Sequence, residues 1–204
     1  MASIVRLIPA AASVVLIFPA VGYAQTNAPE FEPIYASAAV GWADAEDRYL
    51  GVKYGDTPLS LQISAGYRYD WNWSVEAAWQ TFGDIQANDV RGSGIDRLNI
   101  KTSVNSASIR ARLWFPISEF FEQERSVVAF VFGGAHATEI SRSATEVLSQ
   151  SQYLEEKTDY GLNFGGGAIV SIGRFNFRGS VERIDLDDTD SSIVSSMIGL
   201  EFYF

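Results

Sequence analysis

The chain has 204 residues, with 15 basic and 25 acidic side chains, a net charge of −10 and no cysteine. That balance argues against nucleic acid as a partner, and the lack of cysteine excludes a disulfide framework and thiol chemistry. Seventeen glycines and fourteen tyrosines plus tryptophans suit curved strands and membrane–water interfaces.

At the start, Arg6 supplies a positive n-region, and Leu7 to Phe18 is a short apolar stretch interrupted by Pro9. Gly22-Tyr23-Ala24 offers small residues where a signal peptidase reads, which places a cut before Gln25. The apolar run is shorter than the ~20 residues of a helical span, and no other stretch is a better candidate. Residues 1–24 are expected to leave as a signal peptide, 25–33 to form a periplasmic segment and 34–204 to form one domain. Arg6 departs with the leader, so the mature charge is near −11.

Period-2 patterning then recurs along the chain. Ile34, Ala36, Ala38, Val40 and Trp42 share one face. Leu59 to Asp70 sets Leu59, Leu61, Ile63, Ala65, Tyr67 and Tyr69 against Ser60, Gln62, Ser64, Gly66, Arg68 and Asp70. After a turn at Asp70-Trp71-Asn72, Trp73, Val75, Ala77 and Trp79 oppose Ser74, Glu76, Ala78 and Gln80. A fourth run sets Ala107, Ile109, Ala111, Leu113 and Phe115 against Ser106, Ser108, Arg110, Arg112 and Trp114.

The fifth run, Ser126 to Ala135, is apolar on both faces, so its inward face stays open. The sixth spans Tyr160 to Ile172. The seventh sets Phe175, Phe177 and Val181 against Asn176, Arg178, Ser180 and Glu182, after a Gly173-Arg174 turn. The last runs from Val194 to Phe204, with Val194, Ile198, Leu200, Phe202 and Phe204 on one face.

Tight turns join the second run to the third and the sixth to the seventh. Long polar stretches, 44–58, 82–103 and 138–159, are expected to be loops at the other rim. In a lipid bilayer every backbone group must pair and the outer face must be apolar. The expectation is an all-β, eight-stranded antiparallel up-and-down transmembrane barrel in the bacterial outer membrane, with both termini periplasmic. The competing reading is a soluble exported barrel, in which the lumen would be apolar. Tyr69, Trp73, Phe115 and Phe175 fall near strand ends, where an interfacial aromatic girdle belongs.

The Gly66-Tyr67-Arg68-Tyr69 strand end, the Arg178 and Glu182 pair, and the Gly199-Leu200-Glu201-Phe202-Tyr203-Phe204 ending resemble the small outer-membrane β-barrel family, which includes opacity-type proteins and the membrane domain of OmpA-like proteins. The resemblance covers residues 34–204. It implies that Leu200, Phe202 and Phe204 act as a signal to the barrel-assembly machinery, and that the lumen is occluded. Unlike the two-domain relatives of that family, the chain is expected to carry no peptidoglycan-binding domain after the barrel.

Four arginines (Arg68, Arg110, Arg112, Arg178) and three glutamates (Glu76, Glu182, Glu201) are expected to face the lumen. An eight-stranded barrel has room only for side chains, so these charges must pair. They read as a plug that fixes register, or as a gate whose pairs exchange. His136, the one histidine, is placed near the outer end of its strand, with Glu139, Ser141 and Ser143 following. A Ser–His–Glu lipid hydrolase is conceivable there, but no known lipid A deacylase motif accompanies it, and a bystander histidine is the preferred reading.

Asp185, Asp187, Asp188 and Asp190 lack the spacing of a helix–loop–helix calcium site and read as a solvated acidic tip. Arg48, Lys53, Arg91, Arg97, Lys101, Arg142 and Lys157 sit among acids, where bases near the membrane can hold lipopolysaccharide phosphates and mixed charge confers solubility. No cofactor or metal set is legible. The leading function is non-enzymatic: an envelope barrel whose loops contact extracellular ligands, with outer-membrane lipid and lipopolysaccharide as partners. The alternatives are a narrow porin-like channel and a lipid-modifying enzyme.

Overall fold

The computed structural model describes residues 32–70, 72–92, 95–117, 125–172, 175–186 and 191–204. Nine strands form one antiparallel sheet: β1 (Ile34–Tyr49), β2 (Val52–Asp56), β3 (Leu59–Arg68), β4 (Trp73–Gly92), β5 (Ile95–Pro116), β6 (Arg125–Glu146), β7 (Gln152–Ile172), β8 (Phe175–Leu186) and β9 (Ser191–Tyr203). β1 pairs with β9 over Tyr35–Tyr203 to Ala45–Ile193, which closes the sheet into a barrel. β2 and β3 line up against the same strand. β1 meets β2 at Ala45–Asp56 and β3 at Trp42–Leu59, with a break at Thr57 and Pro58. The barrel is thus eight-stranded, with its second strand in two pieces. The β1–β2 hairpin turns through Leu50 and Gly51, both at positive φ, as a two-residue type I′ turn demands.

The stretches expected as long loops are strands. β4, β5, β6 and β7 all run well past the region of membrane contact, and β6–β7 pairing continues out to Thr145–Gln152. The physical reason is an inversion of polarity along each strand. In the inner part, apolar side chains face outward: Leu61, Ile63 and Ile109 are 48–58% exposed. Further out, the apolar residues face inward instead. Ala45, Val52, Tyr54, Phe82, Ile85, Leu98, Ile100, Val104, Ile140, Ala144, Ile184, Leu186 and Ile193 form a buried core, while Asp84, Lys101, Ser141 and Ser143 lie on the outward face. Alternation persists while the solvent changes from lipid to water.

The outward apolar band runs from Ile34 to Trp42 on β1 and from Val127 to Ala137 on β6. About ten residues rising ~3.3 Å each and tilted by ~40° span roughly 25 Å, the height of an outer-membrane apolar belt. The fifth sequence run now has faces: Phe130 and Phe132 point inward and are buried, while Val131 faces out.

Candidate functional site

The lumen is the chemically richest part of the molecule. The inward face of β4 supplies Glu76, β5 supplies Arg110 and Arg112, β8 supplies Arg178 and Glu182, and β9 supplies Glu201, all buried. Their register brings them together: Glu76 is the Cα partner of Arg110 on the neighbouring strand. Arg110 donates to Glu76 through Nε at 2.6 Å and to Glu182 through Nη1 at 2.9 Å. Arg112 donates to Glu76 through Nη2 and to Glu201 through Nη1 at 3.0 Å. Arg178 reaches Ser37 at 3.0 Å and Glu76 at 3.4 Å, and lies 3.6 Å from Glu201.

Neutral side chains satisfy the remaining carboxylate oxygens. Gln62 and Asn163 donate to Glu182 at 3.0 and 2.7 Å, and Tyr203 donates to Glu201 at 2.8 Å. This six-residue network holds three charges of each sign. Buried charge is tolerated only when paired and hydrogen-bonded in this way. Rings complete the setting. The Arg112 guanidinium sits 4.6–5.0 Å from the Tyr35, Trp114 and Phe130 ring centroids, and Arg110 lies 4.3 Å from that of Phe132. Gly66 allows the close approach of Tyr35, because a Cβ there would collide with the phenol ring. The Arg68 guanidinium lies over Trp114 at 4.7 Å and Tyr203 at 5.8 Å.

Above and below, buried apolar clusters alternate with buried polar side chains such as Ser74, Gln80, Ser106 and Thr138. Tyr35, Trp114, Phe130, Phe132 and Ile169 form a layer on the periplasmic side, and the core described above fills the outer half. A second polar knot lies within that outer half. Arg142 forks onto both oxygens of Asp47 at 2.8 Å, and Tyr54 donates to Asp47 at 2.8 Å and bonds Thr102 at 2.6 Å. Burial raises the Tyr54 phenol well above its ordinary range, against the opposing hydrogen bond from Thr102, and the nearby Asp47 charge adds to the rise. For Arg142, burial disfavours the charge, but the hydrogen bonds and charge of Asp47 outweigh it and hold the guanidinium above its usual value.

His136 lies on β6 but does not face a lipid headgroup. It points into the barrel, with Nε2 against the Asp185 carbonyl at 2.9 Å and Nδ1 against Thr138 at 2.8 Å. Glu139, Ser141 and Ser143 have the opposite parity on β6 and face outward, so no Ser–His–Glu arrangement forms. Among the described residues no group of His, Cys, Asp or Glu could hold a metal ion. Asp185 instead pairs with Arg183 at 2.6 Å, and Asp187, Asp188 and Asp190 lie outside the described residues. Trp71 and Arg174 also lie outside them, as do residues 1–24.

The aromatics at strand ends are surface-exposed. Tyr69 stacks on Trp73 with centroids 4.3 Å apart, and Phe115 and Phe175 face outward. In β9, Leu200 and Phe202 also face outward, and the Phe204 amide donates to the Ile34 carbonyl at 2.8 Å, pinning the chain end to β1. Sequence reasoning passed over the Asp47–Arg142–Tyr54–Thr102 knot because it lay in stretches read as loops. Its signal was the continuing alternation of Val52 and Tyr54, and of Ile140, Arg142 and Ala144.

A family model described as outer membrane protein beta-barrel domain matches residues 10–202. Among solved structures, Neisserial surface protein A is similar, with 17% identity and a TM-score of 0.52 over 84% of this chain and 97% of that one. Ail, the attachment invasion locus protein of Yersinia pestis, is 18% identical with a TM-score of 0.51 over 84% of this chain and 100% of that one. Ail in complex with the heparin analogue sucrose octasulfate is 16% identical with a TM-score of 0.50, covering 83% of this chain and 99% of that one. No curated protein matches the chain.

Proposed function

The chain belongs to the outer membrane protein β-barrel family, and from that premise we propose that it is a sealed, non-enzymatic envelope barrel whose outer sheet engages other proteins. The observation that carries the first half is that the lumen charges are buried, paired with one another and packed among rings and aliphatic side chains. An ion crossing the lumen would have to shed its water and break these pairs. The network then acts as a plug that fixes strand register, and a conducting gate finds no support. A lipid-modifying activity also lacks support, since His136 is turned inward with both ring nitrogens engaged.

The second half rests on the outer sheet. Among the described residues, β8 pairs with β7 only up to Asn163–Ile184 and its Asp185 carbonyl lies against Gly161, so the outer end of β7 from Gln152 extends past β8. Leu154 and Tyr160 on that end are 77% and 68% exposed. A strand that outruns its neighbour and carries exposed apolar side chains is a template for strand addition by a partner. Ail was solved with a heparin analogue, but a polyanion suits this surface poorly. Exposed bases here face acids: Lys53–Glu46 at 2.6 Å, Lys101–Asp84 at 2.8 Å and Arg97–Asp89 at 3.4 Å.

The test is to record the full chain in planar bilayers and to display it on a bacterial host above an epithelial monolayer. The expected results are silence in the bilayer and adherence above the empty host, reduced by Leu154→Lys with Tyr160→Lys. Discrete conductance steps would overturn the sealed barrel. Adherence unchanged by the edge charges would overturn the recognition edge.

A further inference from the structure

We propose that the outward wall at β7, β8, β9 and β1 is a seat for one acyl chain of lipid A, with Arg183 receiving the lipid's phosphate. The wall carries an apolar groove of about 340 Å³ lined by Trp42, Gly166, Gly179, Val181, Ser196 and Ile198, among others. Strand register explains its shape. Trp42, Ser196, Val181 and Gly166 are successive Cα partners across the four strands, and Val40, Ile198, Gly179 and Ala168 form the next row inward. Small residues make the floor, while Trp42, Val181 and Ile198, all about half exposed or more, make the walls.

The groove faces hydrocarbon, so its occupant comes from the membrane. Charge selects among the candidates. The row just outward of the groove is Asp44, Val194, Arg183 and Phe164. A lipid with a chain in the groove has its headgroup at that row, on the outer leaflet. Arg183 spends Nε on Asp185, and a guanidinium has five N–H donors, so donors remain for a phosphate. One phosphate delivered there by its own acyl chain differs from a free polyanion, which must also approach the surrounding acids. A second copy of the chain fits less well. Twofold packing would set concave against concave and Arg183 near its counterpart.

The design of the test follows from Gly179, where an added Cβ meets nothing within 4 Å. Gly179→Leu fills the groove without disturbing the barrel, and heat-modifiable gel mobility checks its fold. The full chain in nanodiscs is offered lipid A, dephosphorylated lipid A or phosphatidylglycerol, then transferred to mild detergent for native mass spectrometry. The wild type should retain one lipid A. Gly179→Leu should cut the bound fraction at least about tenfold, a loss of ~1.4 kcal/mol. Arg183→Gln should erase the preference for lipid A over its dephosphorylated form. Equal retention by the folded Gly179→Leu variant would overturn the proposal. So would phosphatidylglycerol held as tightly as lipid A, or a protein dimer that Gly179→Leu abolishes.

Discussion

Glu76 is the hub of the lumen, and Glu76→Gln tests the balance described above most sharply. The replacement keeps size and shape but leaves Arg110, Arg112 and Arg178 facing only Glu182 and Glu201. Removing one member of a buried ionic network typically costs about 3–5 kcal/mol, because a charge is left uncompensated. In a domain of this size each kcal/mol lowers the melting midpoint by about 2–4 °C, so the drop should be on the order of 10 °C. Circular dichroism melts of the detergent-folded protein would read it. Adding Arg178→Met removes the cation left without a close partner, keeps the Arg110–Glu182 and Arg112–Glu201 pairs, and should recover much of the loss. Planar-bilayer conductance should stay silent, since the rings and aliphatic side chains packed around the network are untouched. A midpoint within about 2 °C of wild type, less than ~1 kcal/mol, would refute the reasoning.

Spin labels at Leu61 and Ile109 should report hydrocarbon, while labels at Lys101 and Ser141 on the outer extensions should report water. Hydrocarbon at the latter pair would remove the polarity inversion. Tyr54 should stay neutral when exposed tyrosines ionise near pH ~10, so the 295 nm titration of Tyr54→Phe should match wild type there. Because the folded-state value lies above the unfolded one, its stabilising contribution is present below the unfolded value and fades as pH rises past it. Amino-terminal sequencing of membrane-extracted protein should begin at Gln25. Phe204→Ser should lower the yield of assembled barrel in cells while leaving the detergent-refolded melting point nearly unchanged, and an equal loss in both would assign Phe204 to stability instead.

Period 2 made the membrane portion readable because lipid outside and charge inside give each strand two unlike faces. Leu59 to Tyr67 and Trp73 to Trp79 display this plainly. The lumen charges could be listed because polar residues of one parity had only one place to go. The outer extensions were misread as loops, since their polar residues are the solvent-facing half of strands whose inner half is apolar. Hydrophobicity averaged over such a stretch resembles a loop, and only its alternation distinguishes it. His136 was placed near the outer end of a strand whose run carried no assigned parity, so its inward aim was not legible. The apolar fifth run gave no parity until its pairing with β5 and β7 fixed which of its residues are covered.

The swap of faces along each strand has a consequence for buoyancy. A uniformly greasy cylinder could bob up or down in its membrane, but this one carries a waterline. Sinking by one rung would drag Asp44 and Glu139 toward oil, where a charged side chain costs energy that grows with depth. Rising by one rung would strand Trp42 and Trp79 in water. The protein therefore floats at one draught, set by its own strands and needing no mooring from its neighbours.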